Sequence, residues 1–304
     1  MTNNVAPSSV DAVVIGGSFA GMSAALQLAR ACRSVVIIDH DQPRNRTASL
    51  AHGCLGWDGC SPRDLLQTAR RQLEAYSRVR WITDEASGAQ GSAGRGFQVI
   101  CASGRVVSAY RLILAHGVVD QLPDIPGLIE RWGKGVLHCP YCHGYEICGG
   151  SLGLLVAPDD DALAHVRTLQ QWGHVTVFHR GDRTEEALGL LEKGLSGIGA
   201  SLERSPLLSV SSDATADLAD GRRSVLRALF LHPETTLSSP IAHQLGCRTE
   251  SAGCISTDSA KQTTVEGVFA CGDAARFAGN IALAIGEGAL AGVAAHRSLL
   301  GLLE

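Results

Sequence analysis

Two strand–helix–strand patterns, a glycine-rich turn inside the first, and a late strand ending in Gly-Asp predict an α/β fold. The arrangement they imply is two three-layer βαβ domains, the second inserted in the first. The chain has 304 residues, 45% hydrophobic and 18% charged, enough for a buried core in each domain. Its 35 glycines suit many tight turns and close backbone approaches.

The first unit opens at Asp11. Ala12-Val13-Val14-Ile15 is an apolar run suited to a buried parallel strand. Gly16-Gly17-Ser18-Phe19-Ala20-Gly21 is the turn, and Met22 to Ala31 carries helical periodicity. Val35-Val36-Ile37-Ile38 is the next strand, ending at Asp39. The turn fits G-x-x-x-x-G, with Ser18 where the full dinucleotide fingerprint has its middle glycine. Serine is small, its hydroxyl can donate to phosphate, and the helix N-terminus still faces an anion. Asp39 stands where a carboxylate binds ribose hydroxyls. Together these predict a Rossmann-like dinucleotide-binding domain.

Arg63 to Tyr76 reads as a helix, with Ser61 as N-cap and Pro62 at its first position. Phe97–Cys101 and Val106–Tyr110 read as a hairpin, and Arg111–Ala115 as a strand leading into His116-Gly117. Pro123 and Pro126 mark a crossing between domains. Leu152–Val156, Leu163–Trp172 and Val175–Phe178 repeat the βαβ pattern. Ser209–Arg223 reads as a surface hairpin and Leu226–Leu231 as a strand. Val265–Cys271 leads into Gly272-Asp273, and Ile281–Leu300 is a final helix. The domains are therefore expected at 1–118 with 232–304, and at 119–231.

Gly272-Asp273 supports a flavin: the carboxylate can accept from a ribityl chain, and the glycine permits close packing. The alternative is a surface Asp in a βα turn. Asn280-Ile281-Ala282 opens the last helix, whose N-terminus would stabilise the negative charge of a reduced flavin.

Mid-chain lies His138-Cys139-Pro140-Tyr141-Cys142-His143-Gly144-Tyr145, the only Cys-x-x-Cys among ten cysteines. Such a pair is a thiol–disulfide exchange centre or half of a zinc site. No second Cys-x-x-Cys or His-x-x-x-His supplies the other half. The other eight cysteines show no framework spacing, and a reducing cytoplasm is the simplest home. Met1 to Val10 lacks the apolar core of a signal peptide, and no uncharged stretch reaches membrane-spanning length. A net charge of −4 and the lack of a basic run argue against nucleic acid or an acidic membrane as partner.

These motifs resemble the low-molecular-weight thioredoxin reductase family over nearly the whole chain. They are the N-terminal fingerprint, Leu114-Ala115-His116-Gly117 where the family has Ala-Thr-Gly, the mid-chain CxxC, and Gly272-Asp273. More narrowly, His52-Gly53-Cys54-Leu55-Gly56-Trp57-Asp58 and the run from Cys139 to Glu146 look like the gliotoxin- and holomycin-type dithiol oxidases and their bacterial relatives. The resemblance implies two Rossmann-like three-layer dinucleotide-binding domains, FAD as cofactor, and a homodimer. It implies flavin contacts at Gly16 to Gly21, Asp39, His40, Arg44, Asn45, His52, Ala115, Gly272, Asp273 and Asn280 to Ala282. It also implies that Cys142 faces the flavin and Cys139 exchanges with substrate. His143 replaces an acidic residue usual in the reductases and is the first candidate acid/base. His138 is the second, or a strand-end residue. Glu146 orients a histidine or is solvated. His116 and His52 read as packed, hydrogen-bonded groups near the flavin.

A reductase of this family needs a second glycine-rich turn for NADPH. Here the strand is followed by Ala157-Pro158-Asp159-Asp160-Asp161-Ala162, with no glycine and three carboxylates where a pyrophosphate should sit. His179-Arg180-Gly181-Asp182-Arg183 keeps part of a basic 2′-phosphate clamp, or is an ordinary basic loop. Tight NADPH binding is therefore not expected. The leading expectation is an FAD-dependent oxidase for a small-molecule or peptide dithiol, with O2 as acceptor. The alternatives are a disulfide reductase fed by NADPH or another donor, and a flavin-bound sensor.

Overall fold

The computed structural model describes residues 9–158, 160–211, 214–277 and 279–303. Asp159, part of the acidic turn, lies outside them. The chain divides into two compact units. One holds the residues up to Arg46, Gly53–Val119 and the residues from Thr235 onward; the other holds Thr47–His52 and Asp120–Glu234.

In the first unit, β1 (Val10–Ile15) is buried along nearly its whole length, as an apolar strand covered on both faces must be. Then come α1 (Phe19–Arg30) and β2 (Val35–Asp39), and β2 lies parallel to β1 with Val14 beside Ile37. α2 (Pro62–Glu74) has Ser61 at its N-cap and Pro62 in its first turn, and leads to β3 (Val79–Thr83). β4 (Ala86–Ser92), β5 (Gly96–Cys101) and β6 (Val106–Leu114) form an antiparallel meander. The two segments expected at Val106–Tyr110 and Arg111–Ala115 are one strand. Its first half pairs with β5, and its second half continues as the parallel neighbour of β1.

The chain leaves the unit along β7 (Val118–Gln121). The second unit then runs through α3 (Leu128–Arg131), β8 (Val136–Leu137), α4 (Pro140–His143) and β9 (Gly150–Leu155). α5 (Ala162–Leu169), β10 (Gly173–Phe178), α6 (Glu185–Ser196) and β11 (Ser201–Leu202) complete its βαβ run. An antiparallel trio, β12 (Leu207–Ser211), β13 (Thr215–Leu218) and β14 (Arg223–Val225), precedes β15 (Ala228–Leu231). The parallel sheet has the order β11-β10-β9-β15-β8. The hairpin expected at Ser209–Arg223 is there as β12 and β13, and β14 adds a third strand to it. Leu207, Val210, Ala216 and Leu218 are buried with Phe178 and Leu229 in a core of their own. The polar residues that alternate with them face outward, which made the segment look superficial.

β16 (Glu234–Leu237) and α7 (Ile241–Gln244) follow the return to the first unit. β17 (Val268–Ala270) adds beside the second half of β6, and a 3-10 turn at Gly272–Ala275 leads to α8 (Ile281–Leu299). The sheet order is β3-β2-β1-β6-β5-β4, with β17 also on β6. α8 meets α1 backbone to backbone: a Cβ at Gly288 or Gly292 would strike the carbonyl of Ala20 or Ala24. Among the described residues, no helix is long and apolar enough to cross a membrane.

Candidate active site

The first turn is built so that only glycine fits. Gly16 has φ +99°, and a Cβ there would meet the Ala115 carbonyl; one at Gly21 would strike the Gly16 carbonyl. Ala115 is fixed by donating its N–H to Ile15 O at 2.8 Å. Ser18 is the N-cap of α1 and makes no side-chain capping bond, so its hydroxyl is not spent on the helix. Phe19 and Ala20 are buried, and the first turn of α1 carries no acidic residue. Asp39 Oδ1 accepts from Gly17 N–H at 2.9 Å, so this carboxylate orders the turn itself. His40 is exposed just past β2, and Asn45 is half-buried in the turn that follows. Arg44 Nη1 donates to Asp273 Oδ2 at 2.9 Å, which ties that turn to the Gly-Asp segment. Asn280 Oδ1 accepts from Leu283 N–H at 2.8 Å and caps α8, ahead of half-buried Ile281 and exposed Ala282.

In the second unit, Cys139 and Cys142 are joined as a disulfide, with their Cα atoms 5.3 Å apart. Cys139 is the N-cap of the one-turn helix α4, and Pro140 follows at the first position, where its missing N–H is no loss. The helix rests on Trp172. A Cβ at Gly144 would lie 2.6 Å from Pro140 O and 2.7 Å from the Trp172 ring, so glycine is required there. Tyr141 meets the same ring edge-on at 5.5 Å.

His143 is half-buried, and that burial pushes its pKa below the ordinary histidine value. The Glu146 carboxylate opposes the shift and His52 adds to it. His52 Nε2 lies 3.5 Å from Glu146 Oε1. The segment Thr47–His52 thus brings His52 to the dithiol-bearing unit, beside Glu146. His138 directly follows β8. Its ring lies edge-on to His232 at 5.5 Å, and His232 stacks on His165 at 3.8 Å. Burial, and then the two neighbouring histidines, push His232 down to about 4. His116 Nδ1 lies 3.0 Å from Gly117 O in the first unit, and burial lowers its pKa to about 4. Among the described residues, no cluster of three or more His, Cys, Asp or Glu could hold a metal ion.

The second βα turn is closed on itself. Asp160 Oδ2 accepts from Ala157 N–H at 2.6 Å, and Asp161 Oδ1 caps α5 by accepting from Ala164 N–H at 3.1 Å. Arg183 donates to the Ala157 carbonyl, and Arg180 pairs with Asp182 at 3.0 Å. Carboxylates therefore take backbone donors that a phosphate would need, and both arginines of the loop have partners within the unit.

A profile of the family described as pyridine nucleotide-disulphide oxidoreductase matches residues 10–147. The thioredoxin reductase sirT of Leptosphaeria maculans is 31% identical over 97% of this chain and 96% of its own. The chain belongs to the thioredoxin reductase-like disulphide oxidoreductases. The crystal structure of an oxidoreductase from Agrobacterium tumefaciens superposes with TM-score 0.89 at 44% identity, covering 97% of this chain and 99% of that one. HlmI gives TM-score 0.87 at 32% identity, covering 97% and 93%.

As a member of this family the protein is an oxidoreductase with FAD as its cofactor. The first unit fits that group. Its glycine cradle, the uncommitted Ser18 hydroxyl and an α1 N-terminus without acidic residues suit a pyrophosphate. Asp39 and Asp273, each already bonded within the unit, would offer their remaining acceptor positions to hydroxyls of the ribose and the ribityl chain. No sequence motif marks Glu287, a buried carboxylate that accepts from Gly272 N–H at 3.1 Å. None marks His165 or His232 either.

Proposed function

We propose that the protein is an FAD-dependent dithiol oxidase that closes a disulfide in a small-molecule or peptide dithiol, with O2 as electron acceptor. A substrate thiolate attacks Cys139 Sγ, the Cys139–Cys142 bond breaks, and Cys142 leaves as a thiolate. The second substrate thiol then attacks its own sulfur in the mixed disulfide. This releases the substrate disulfide and Cys139, so two protons and two electrons remain on the enzyme. His143, kept neutral by burial, accepts a thiol proton. His138 is the second candidate for moving protons at Cys139. Bound FAD supplies the two-electron sink between this dithiol and O2, which leaves as peroxide.

The observation that carries this reading is the closed second turn. Asp160 and Asp161 already accept the N–H groups of Ala157 and Ala164. Dinucleotide phosphates would have to displace these bonds and face two carboxylates. Electrons then come from the dithiol rather than from NADPH. The test is anaerobic. Adding dithiol should bleach the flavin absorbance, and admitting O2 should restore it with stoichiometric peroxide. Persistent colour under dithiol, or no peroxide on reoxidation, removes the oxidase reading. The second reading, a disulfide reductase, is favoured by the name of the Leptosphaeria relative. It requires fast bleaching by micromolar NADPH. We further propose a homodimer in the cytoplasm, with no nucleic-acid or membrane partner.

A further inference from the structure

Glu287 is the buried acidic group among the described residues of the first unit, and no motif marks it. It sits on α8, is only 4% exposed, and is flanked by Gly286 and Gly288. One oxygen, Oε2, accepts from Gly272 N–H at 3.1 Å. The other, Oε1, accepts from Lys261 Nζ at 2.6 Å and from Arg276 Nε and Nη2 at 2.8 and 2.6 Å. A carboxylate this buried is stable only when paired, and here every contact has a direction. Gly272 in turn abuts α1, since a Cβ on it would lie 2.9 Å from Ala20 Cβ. Gly288, next to Glu287, lets α8 touch the Ala20 carbonyl. The Glu287 side chain therefore joins the Gly272-Asp273 turn to the body of α8, and Gly272 and Gly288 both abut the start of α1.

We propose that Glu287 is a positioning residue for FAD. It fixes the N–H of Gly272 and so the placement of Asp273, the carboxylate offered to the ribityl chain. Lys261 and Arg276 hold Glu287 in that pose. Two cations against one carboxylate also leave one net positive charge next to the turn, which favours the reduced, anionic form of the cofactor. Removing the carboxylate raises that charge; removing Lys261 cancels it.

The experiment is a charge cycle on the holoenzyme, using Glu287→Gln, Lys261→Met and the double variant. FAD affinity is read by flavin fluorescence, and the flavin midpoint potential by dye-coupled reduction. Glu287→Gln keeps a side-chain oxygen for Gly272 but loses the charge. It should weaken FAD binding about tenfold, the scale of one hydrogen bond to a charged group. Its potential should move positive. Lys261→Met should move the potential negative, and the double variant should return it toward wild type. A merely structural role lowers thermal stability without this reciprocal pattern. Native affinity and native potential in both single variants would overturn the proposal, as would shifts of the same sign in both. Glu287→Asp checks the reach: a shortened carboxylate should recover the potential but not the affinity.

Discussion

At the residue scale, the proposed proton chemistry centres on His143. Its pKa lies below the ordinary histidine value because burial penalises the imidazolium, and Glu146 offsets this only in part. The base form therefore persists into mildly acidic solution. The acid limb of the pH profile for dithiol-dependent flavin bleaching should fall below pH ~6.5, the unperturbed histidine value. His143→Asn should slow that bleaching about a hundredfold, the lower range for a lost general base, while FAD content stays the same. An unchanged rate would assign the proton transfer elsewhere, with His138 next. Cys142→Ser should abolish bleaching by dithiol, whereas the free Cys139 thiolate, if exchange-competent, should attack the disulfide form of the substrate, release one of its thiols and leave a mixed disulfide detectable by mass. Much of this was legible in the chain. The Cys pair, His143 and the acidic turn each break a local pattern and so stand out. Glu287 does not, because one acidic residue in a helix rich in Ala and Gly looks solvent-facing. Only the fold puts Lys261 and Arg276 around it, from 26 residues before and 11 before.

At the element scale, the lesson lies in what the turns do with their backbone donors. The missing glycines of the second βα turn were visible in the sequence. Its closure was not, because Asp160 bonding to Ala157 depends on the turn's own geometry. The buried face of the antiparallel trio is not legible for a related reason: an alternating strand shows half of its residues as polar whether or not the other half is buried. The short helix α4 makes a sharper case. Its sequence declares a redox pair, but its stability rests on Gly144 lying against Trp172. Gly144→Ala should cost about 1–3 kcal/mol by overpacking. The disturbance should be local: the rate of thiol exchange at Cys139 should change, while FAD affinity, a property of the other unit, should not. Equal damage to both would mean that the variant unfolds the unit as a whole.

At the scale of the whole molecule, each unit contains a partly buried histidine that is hard to protonate. His116 in the first and His232 in the second are both lowered to about 4 by burial. The unfolded chain holds these groups near pH ~6.5, so between roughly pH 4 and 6.5 the unfolded state binds more protons than the folded one. Stability from each group is fully present above the unfolded value and is lost as pH falls through that window. Each should contribute a slope of about one proton. Hydrogen exchange followed peptide by peptide separates the two units. In wild type, both should lose protection on acidification through this window. His232→Phe keeps an aromatic ring to stack on His165 but cannot be protonated. It should flatten the acid dependence of the peptides around β8, β9 and β15 and leave those of β1 and β6 unchanged. The carboxylates do not mimic this pattern, because Asp11 and Glu287 are depressed below the ordinary carboxylate range and destabilise only at lower pH. If His232→Phe left the slope of the second unit intact, its acid sensitivity would have to come from groups other than this histidine stack.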